Sequence, residues 1–223
     1  MNALRHPALL LLLSTLVWAV SPGVGRAAER FTNGDFELGV TGFGSDYSFN
    51  GVDNTLPGQF AVTTSPHLVH PSWGIYADHS IVGANMLTAN GTTAAGLAVW
   101  RQTVSVVAGA DYTFSAWGAS SFSTSPALLS FRANDVEFLT LQLPAAVGIW
   151  TNASTIVNAG AATSIEFEVV DLNLDGLGND LTLDDISLDG PVPVPEPSTL
   201  LFSLAGFGLL RIRRRAIASS TNF

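Results

Sequence analysis

From residue 59 to residue 188 the chain is a succession of short segments that alternate apolar and polar residues and are broken by turn residues. This pattern constrains the fold more than any other feature of the sequence. The segments are "QFAVTT" (59–64), "NMLTAN" (85–90), "GLAVWRQTVSVV" (96–107), "DYTFSAWGAS" (111–120), "ALLSFRA" (127–133), "VEFLTLQL" (136–143), "WTNASTIV" (150–157), "SIEFEVV" (164–170) and "LTLDDISL" (181–188). A period of two puts successive side chains on opposite faces of a strand. Tyr112, Phe114 and Ala116 therefore share one face; Ile165, Phe167 and Val169 share another, with Glu166 and Glu168 directed to solvent. "AGAD" (108–111) and "RAND" (132–135) are turn signals between neighbours expected to pair antiparallel. Long amphipathic helices are hard to find. Many short strands at this spacing predict an all-β fold, a jelly-roll β-sandwich, and 223 residues suffice for one such domain plus terminal segments.

The last segment carries an irregularity. Leu181 and Leu183 occupy odd positions, whereas Ile186 and Leu188 occupy even ones, so the apolar face changes phase between Asp184 and Asp185. One extra residue in a β-bulge restores the register. It also turns a carboxylate inward, where it needs a partner or an ion to offset desolvation.

The composition excludes several chemistries. Cysteine is absent, which removes disulfides and thiolate metal sites. From Ala28 to Gly190 there are 17 acidic residues against 3 basic ones (Arg30, Arg101 and Arg132), a net of −14. Such a field repels nucleic acid and anionic lipid and attracts divalent cations. No G-x-S-x-G elbow and no H-E-x-x-H motif occurs, and Glu166 and Glu168 sit on one strand face rather than across a scissile bond. No enzyme activity is expected.

The two ends read as targeting segments. Residues 1–27 combine a basic start (Arg5, His6), an apolar run from Ala8 to Val20 and the helix-breaking "SPGVGRA". With Gly25 and Ala27 at the −3 and −1 positions, they form a signal peptide, helical in its apolar run, that directs the chain to the Sec translocon and is cut by signal peptidase after Ala27. At the other end, Ser198–Leu210 is an apolar run of 13 residues. As a short helix it reaches only about 20 Å, against roughly 30 Å of hydrocarbon. Arg211, Arg213, Arg214 and Arg215 follow and stay cytoplasmic, which places everything before Pro195 outside.

In this tail the chain resembles the PEP-CTERM proteins, exported proteins of exopolysaccharide-producing, biofilm-forming Gram-negative bacteria. The resemblance rests on Pro195, Glu196 and Pro197, then "STLLFSLAGFGLL", then the four arginines. It implies recognition and cleavage near the motif by exosortase, a membrane protease-transpeptidase. The segment 191–223 is thus a sorting segment, held transiently in the inner membrane, and the mature protein belongs at the cell surface or in the extracellular matrix. The body, residues 28–190, resembles the galactose-binding-like jelly rolls, among them several carbohydrate-binding modules. It does so through "FTNGDFELG" (31–39), "VWRQTVSVVAGADYTFSAW" (99–117) and "NDLTLDDISL" (179–188).

The galactose-binding-like resemblance implies a structural calcium where the first and last strands meet. Carried over by position it nominates Glu37 and Asp185, with Asp35 and Asp184 as neighbours; calcium takes six to eight oxygen ligands. The other reading of these residues is turn and cap hydrogen bonding. A second stretch, "DLNLDGLGND", sets Asp171, Asn173 and Asp175 before Gly176 as in the start of a calcium loop, but Thr182 stands where the closing bidentate Glu belongs. His67, His70 and His79 with Asp78 show no metal-ligand spacing and read as histidines fixing a long loop. Trp73 and Tyr76 are candidates for stacking on a sugar ring, with core packing as the alternative. Trp100 and Trp117 are assigned to the core. The expected function is a non-catalytic, carbohydrate-binding role in exopolysaccharide, with a purely structural or adhesive surface protein as the alternative.

Overall fold

Alternation along the chain is realised as burial on one face of each strand. The computed structural model describes residues 27–80 and 83–193. All of the signal segment but Ala27, and the sorting motif, Pro195 to Arg215, lie outside the described residues. Each of the nine predicted segments contains a strand: β3 (Gln59–Thr63), β4 (Met86–Asn90), β5 (Ala98–Ser105), β6 (Asp111–Ser120), β7 (Leu128–Ala133), β8 (Val136–Gln142), β9 (Thr151–Asn158), β10 (Ser164–Asp171) and β11 (Leu181–Pro191). Two short strands precede them, β1 (Ala27–Glu29) and β2 (Ser48–Phe49), and a 3-10 turn spans Pro66–Leu68. At three and two residues, β1 and β2 are too short to show a period.

The strands form two sheets. One runs β2-β3-β4-β11-β6-β9, with β1 also on β11; the other runs β5-β10-β7-β8. The first half of β11 pairs β4 (Leu181 with Ala89), its end pairs β1 (Asp189 with Glu29), and β6 lies along its other side. Among the described residues only β2 and β3 pair in parallel.

The two turn signals have different outcomes. "RAND" closes a tight hairpin, with Ala133 opposite Val136 and Asn134 and Asp135 both left-handed (φ 49° and 65°), as a two-residue hairpin requires. "AGAD" does not join paired neighbours, because β5 and β6 belong to different sheets. The chain crosses the sandwich there, and the backbone groups of the turn are satisfied by the 159–163 loop: Gly109 N–H donates to the Gly160 carbonyl, Val106 N–H to Thr163 and Ala159 N–H to Ala110.

Between the sheets, Phe31 meets Trp100 edge-on at 5.0 Å and Phe167 at 5.3 Å, while Phe114 contacts Phe131 and Phe138 at 5.2 and 5.1 Å. Such pairs add about 0.5–1.5 kcal/mol each beyond simple burial. Tyr112, Phe114 and Ala116 are buried together, as are Ile165, Phe167 and Val169. Glu168 departs from expectation: it is buried on the outer face of the smaller sheet, with Arg101 Nη1 3.9 Å away and Arg132 opposite it on β7. Desolvation, followed by repulsion from Asp135 and Glu166, raises its pKa.

The phase change in β11 is a bulge. Pairing with β6 shifts between Asp184 and Ser187, Asp185 adopts φ 45°, and Leu181, Leu183, Ile186 and Leu188 all reach the core. The Ile186 N–H that the bulge frees from the ladder donates to the Gly34 carbonyl at 2.9 Å. A β-carbon at Gly34 would run into the Ile186 backbone, so glycine is what lets the opening loop lie against the bulge.

Candidate functional site

The residues that carry candidate chemistry gather on the outer face of the larger sheet. Phe60, Leu87 and Leu183 point to the core, whereas Ala61, Thr88, Thr182 and Asp184 point the other way and are still buried. The long connection between β3 and β4 covers them. Val69 and Trp73 pack on Ala61 and Phe122. Tyr76 contributes its hydroxyl to Thr182 Oγ1 at 2.9 Å and to Ser120 and Ser121 at 3.3 Å. His79 and Ser80 follow over Asp184.

Asp184, fully buried, is the anchor of this cover. Its Oδ2 accepts the N–H groups of His79 (2.8 Å) and Ser80 (3.3 Å), and its Oδ1 accepts the N–H of Asp185 (2.8 Å). Burial pushes its pKa up to about 7, and the donors only partly offset this. Asp185, set outward by the bulge, accepts from His79 Nδ1 at 2.7 Å and from the Ser80 hydroxyl at 3.0 Å. The His79 ring in turn stacks on Trp117 at 3.8 Å and 18°, with Trp150 edge-on at 5.8 Å.

Trp117 is therefore not a core residue. It is half-buried, opposite Asp184 on the outer face, and it walls a cleft of about 350 Å³ shared with Asp185, Asp35, Asn33, Ser115 and Ser187. Asn33 is left-handed (φ 58°) and shapes one lip: its amide donates to the Gly39 and Thr41 carbonyls and accepts from Leu38 N–H. Ser115 Oγ accepts from the Asn152 amide, which leaves its own proton free to donate. The cleft thus combines an aromatic wall, carboxylate acceptors and hydroxyl donors.

Trp73 does not serve as a stacking platform. It is 3% exposed, with its outer side covered by the His70 ring at 4.7 Å. At that burial Trp73 offers a sugar no open surface, whereas Trp117, with one face under His79, is only half-buried and still lines the cleft. Tyr76 is half-buried, edge-on to Trp150 at 6.2 Å, with its hydroxyl turned inward.

The carboxylates nominated for calcium are engaged by protein donors. Glu37 Oε1 accepts Ala84 N–H at 2.8 Å and Asn85 N–H at 2.7 Å, while Asp184 and Asp185 are bonded as above. Asp35 accepts only a long 3.4 Å bond from Glu37 N–H. Nearby Asp78 has its pKa raised by desolvation and then by Glu37 and Asp185. Among the described residues, no group of three or more His, Asp or Glu stands close enough to share an ion. The opening-and-closing junction, as arranged, does not fit a calcium cage.

The "DLNLDGLGND" stretch does not fit one either. Asp171, Asn173 and Asp175 each accept the N–H two residues on, at 2.9, 3.1 and 3.1 Å. These Asx turns fold the loop on its own backbone. Asp171 is 1% exposed, also accepts Leu128 N–H, and is pushed up to about 7 by burial.

Of the histidines, His67 Nδ1 pairs with the Trp73 carbonyl, His70 with Ser72 N–H and His79 with Asp185, each within or beneath the loop cover. The aromatic face was missed at Trp117, although alternation gave a signal for it: with Tyr112, Phe114 and Ala116 inside, position 117 falls outside with Thr113 and Ser115.

Neither a protein-family model nor a curated protein sequence matches the chain. Among solved structures it is similar to the N-terminal CBM22-1-CBM22-2 tandem domain of Paenibacillus barcinonensis Xyn10C, with 15% identity over 80% of this chain and 49% of that one and a TM-score of 0.53. It is similar to the arabinose-bound α-L-arabinofuranosidase MgGH51, with 15% identity, 74% and 26% coverage and a TM-score of 0.52. It is also similar to an apo-form cyclase from Fischerella sp., with 12% identity, 75% and 98% coverage and a TM-score of 0.51. The chain spans about half of the tandem domain and about a quarter of the arabinofuranosidase. At these identities the likeness concerns the fold alone: the described residues form a jelly-roll β-sandwich of two sheets.

Proposed function

We propose that this protein is an exported, non-catalytic carbohydrate-binding protein whose glycan site is the cleft walled by Trp117. The single observation that carries the reading is the half-buried indole of Trp117 beside Asp185, Asp35 and Ser115 in an open cleft. A pyranose presents an apolar C–H face and a rim of hydroxyls, which suits an aromatic wall flanked by acceptors and a hydroxyl donor. The fold is compatible, since the tandem domain it resembles consists of carbohydrate-binding modules. Fold alone does not fix a ligand, as the similar cyclase illustrates.

The two ends of the sequence support the export part of this reading: a signal segment for Sec and signal peptidase, and the Pro195-Glu196-Pro197 motif, apolar run and arginines for exosortase. On that reading the mature chain works at the surface or in the exopolysaccharide of a Gram-negative biofilm. The intact mass and C-terminus of protein recovered from its host test this; a chain ending near Pro195 supports it, and a full-length membrane-embedded form overturns it.

Glycan binding is tested by polysaccharide pull-down with the full chain and with Trp117→Ala. Binding that is lost in Trp117→Ala, at unchanged melting temperature, supports the assignment. Binding that survives Trp117→Ala moves the site elsewhere, and no binding to any glycan favours a purely structural or adhesive role.

A further inference from the structure

A second cleft, of about 480 Å³, opens where β4 ends, β6 runs out and β11 begins, and it shares no lining residue with the Trp117 cleft. Its chemistry is set by Asp180. This residue lines the cleft at 7% exposure, and no arginine side chain pairs with it among the described residues. Its only neighbouring donors among the described residues are neutral: the Trp73 indole N–H and the Gly91 backbone N–H lie close enough to favour its ionised form, but the indole N–H makes no hydrogen bond of good geometry. A buried carboxylate with no countercharge, open to a cleft, is an incomplete arrangement.

The other polar groups of the cleft extend the pattern. Asn90, also buried, commits its amide nitrogen to the Asn54 carbonyl at 2.8 Å, leaving Oδ1 as an acceptor. His70 Nδ1 accepts Ser72 N–H, and desolvation lowers the pKa of this imidazole, so it adds no positive charge. Phe122 and the exposed Leu177 supply apolar walls.

We propose that this end cleft binds a primary ammonium group on a small organic body, with Asp180 as its counter-ion and Asn90 Oδ1 as a second acceptor. A protonated amine offers three donors and the missing positive charge, and its carbon skeleton lies against Phe122 and Leu177. A neutral polyol leaves the charge of Asp180 uncompensated. A hard metal ion needs more carboxylate than the one that lines this cleft. An anion is repelled by Asp180 and by the net charge of the body. This inference stands on Asp180 and not on the glycan reading of the Trp117 cleft.

The experiment is calorimetric titration of the full chain near neutral pH with glucosamine, N-acetylglucosamine and n-butylamine. The expected result is that at least one amine binds at least about tenfold more tightly than N-acetylglucosamine. Glucosamine alone identifies an amino sugar; n-butylamine binding equally well identifies the ammonium group itself. Asp180→Asn, nearly isosteric, is expected to abolish the preference while Trp117→Ala preserves it. Equal affinity for amine and amide, no binding of either amine, or a preference that survives Asp180→Asn overturns the proposal. If Asp180→Asn fails to fold, the comparison of amine with amide on the unaltered chain still decides.

Discussion

The fully buried Asp184 carboxylate accepts the backbone N–H of His79 at 2.8 Å, and through this contact one residue of β11 fixes a loop more than a hundred positions earlier in the chain. The bulge that follows Asp184 then delivers Asp185 to the same loop, where it holds the His79 ring against Trp117. A change of phase in one strand thus shapes the wall of the proposed glycan cleft.

Asp184→Ala removes the acceptor for the N–H groups of His79, Ser80 and Asp185. Leaving buried donors unsatisfied costs on the order of 2 kcal/mol, a drop of roughly 4–8 °C in Tm for a chain of this size. Asp184→Asn keeps one oxygen and is expected to lose less than half as much. Hydrogen exchange at residues 79 and 80 checks the mechanism: protection there falls in Asp184→Ala while amides in β10 are unaffected.

Acidity is expected to stabilise the fold. Burial raises Asp171 and Asp184 to about 7 and Asp180 to about 6, against an unfolded value near 3.8. The folded state therefore binds more protons than the unfolded state between these values, so its stability falls as pH rises. The contribution is fully present below about pH 4 and is lost as pH climbs through about 6 to 7. Thermal melts are expected to show a Tm at pH 5 at least roughly 4 °C above that at pH 8. A Tm that climbs from pH 5 to pH 8 contradicts the assignment.

The share of Asp171 can be isolated. Its Oδ1 accepts the N–H groups of Leu128 and Asn173, while its Oδ2 is buried without a partner. Asp171→Asn keeps the oxygen that is used and removes the charge that is buried. The variant is expected to match or exceed the parent Tm at pH 8 and to show a flatter pH profile. A loss of several degrees at pH 8 would mean that the ionised carboxylate is needed.

The sheets were legible in the sequence because a period of two is local: Tyr112, Phe114 and Ala116 declare their face without reference to any other strand. The bulge was legible for the same reason, through the parity of Leu183 and Ile186. The cover over Asp184 was not, because the return of residues 64–80 across the sheet depends on contacts with residues a hundred positions away. The burial of Trp73 and Trp117 is the reverse of the expected one for a related reason. The size of an indole suggests burial, but strand parity sets Trp117 outside, and only the tertiary path of the loop buries Trp73. Likewise the spacing of Asp171, Asn173 and Asp175 fits both a calcium loop and a chain of Asx turns, and the choice is made by which N–H groups arrive first.

That choice gives a test for the metal. Glu37, Asp184 and Asp185 are hydrogen-bonded to Ala84, Asn85, His79 and Ser80, and the Asp171 loop is bonded to its own backbone. Adding millimolar calcium or chelator to the full chain is expected to move Tm by less than about 1 °C. A ligand that binds only the folded state raises stability by RT ln(1 + [L]/Kd), or about 2.7 kcal/mol at a hundredfold excess over Kd. A structural calcium would therefore show as a rise of roughly 5 °C or more, and a rise of that size would mean that the carboxylates leave their N–H partners for the ion.

Trp73 offers the sharpest contrast with Trp117. It is packed on Ala61, Val69 and Phe122 under the His70 ring, so Trp73→Ala opens a cavity beneath the loop. Large-to-small changes of this kind cost about 3–5 kcal/mol. The variant is expected to lose Tm steeply, and any fall in glycan binding should follow the unfolded fraction; Trp73→Phe, which refills part of the volume, should recover both. Trp117→Ala is expected to do the reverse, changing Tm little while removing binding. A Trp73→Ala protein that melts like the parent yet no longer binds glycan would return the stacking role to Trp73 and require the loop to open in solution.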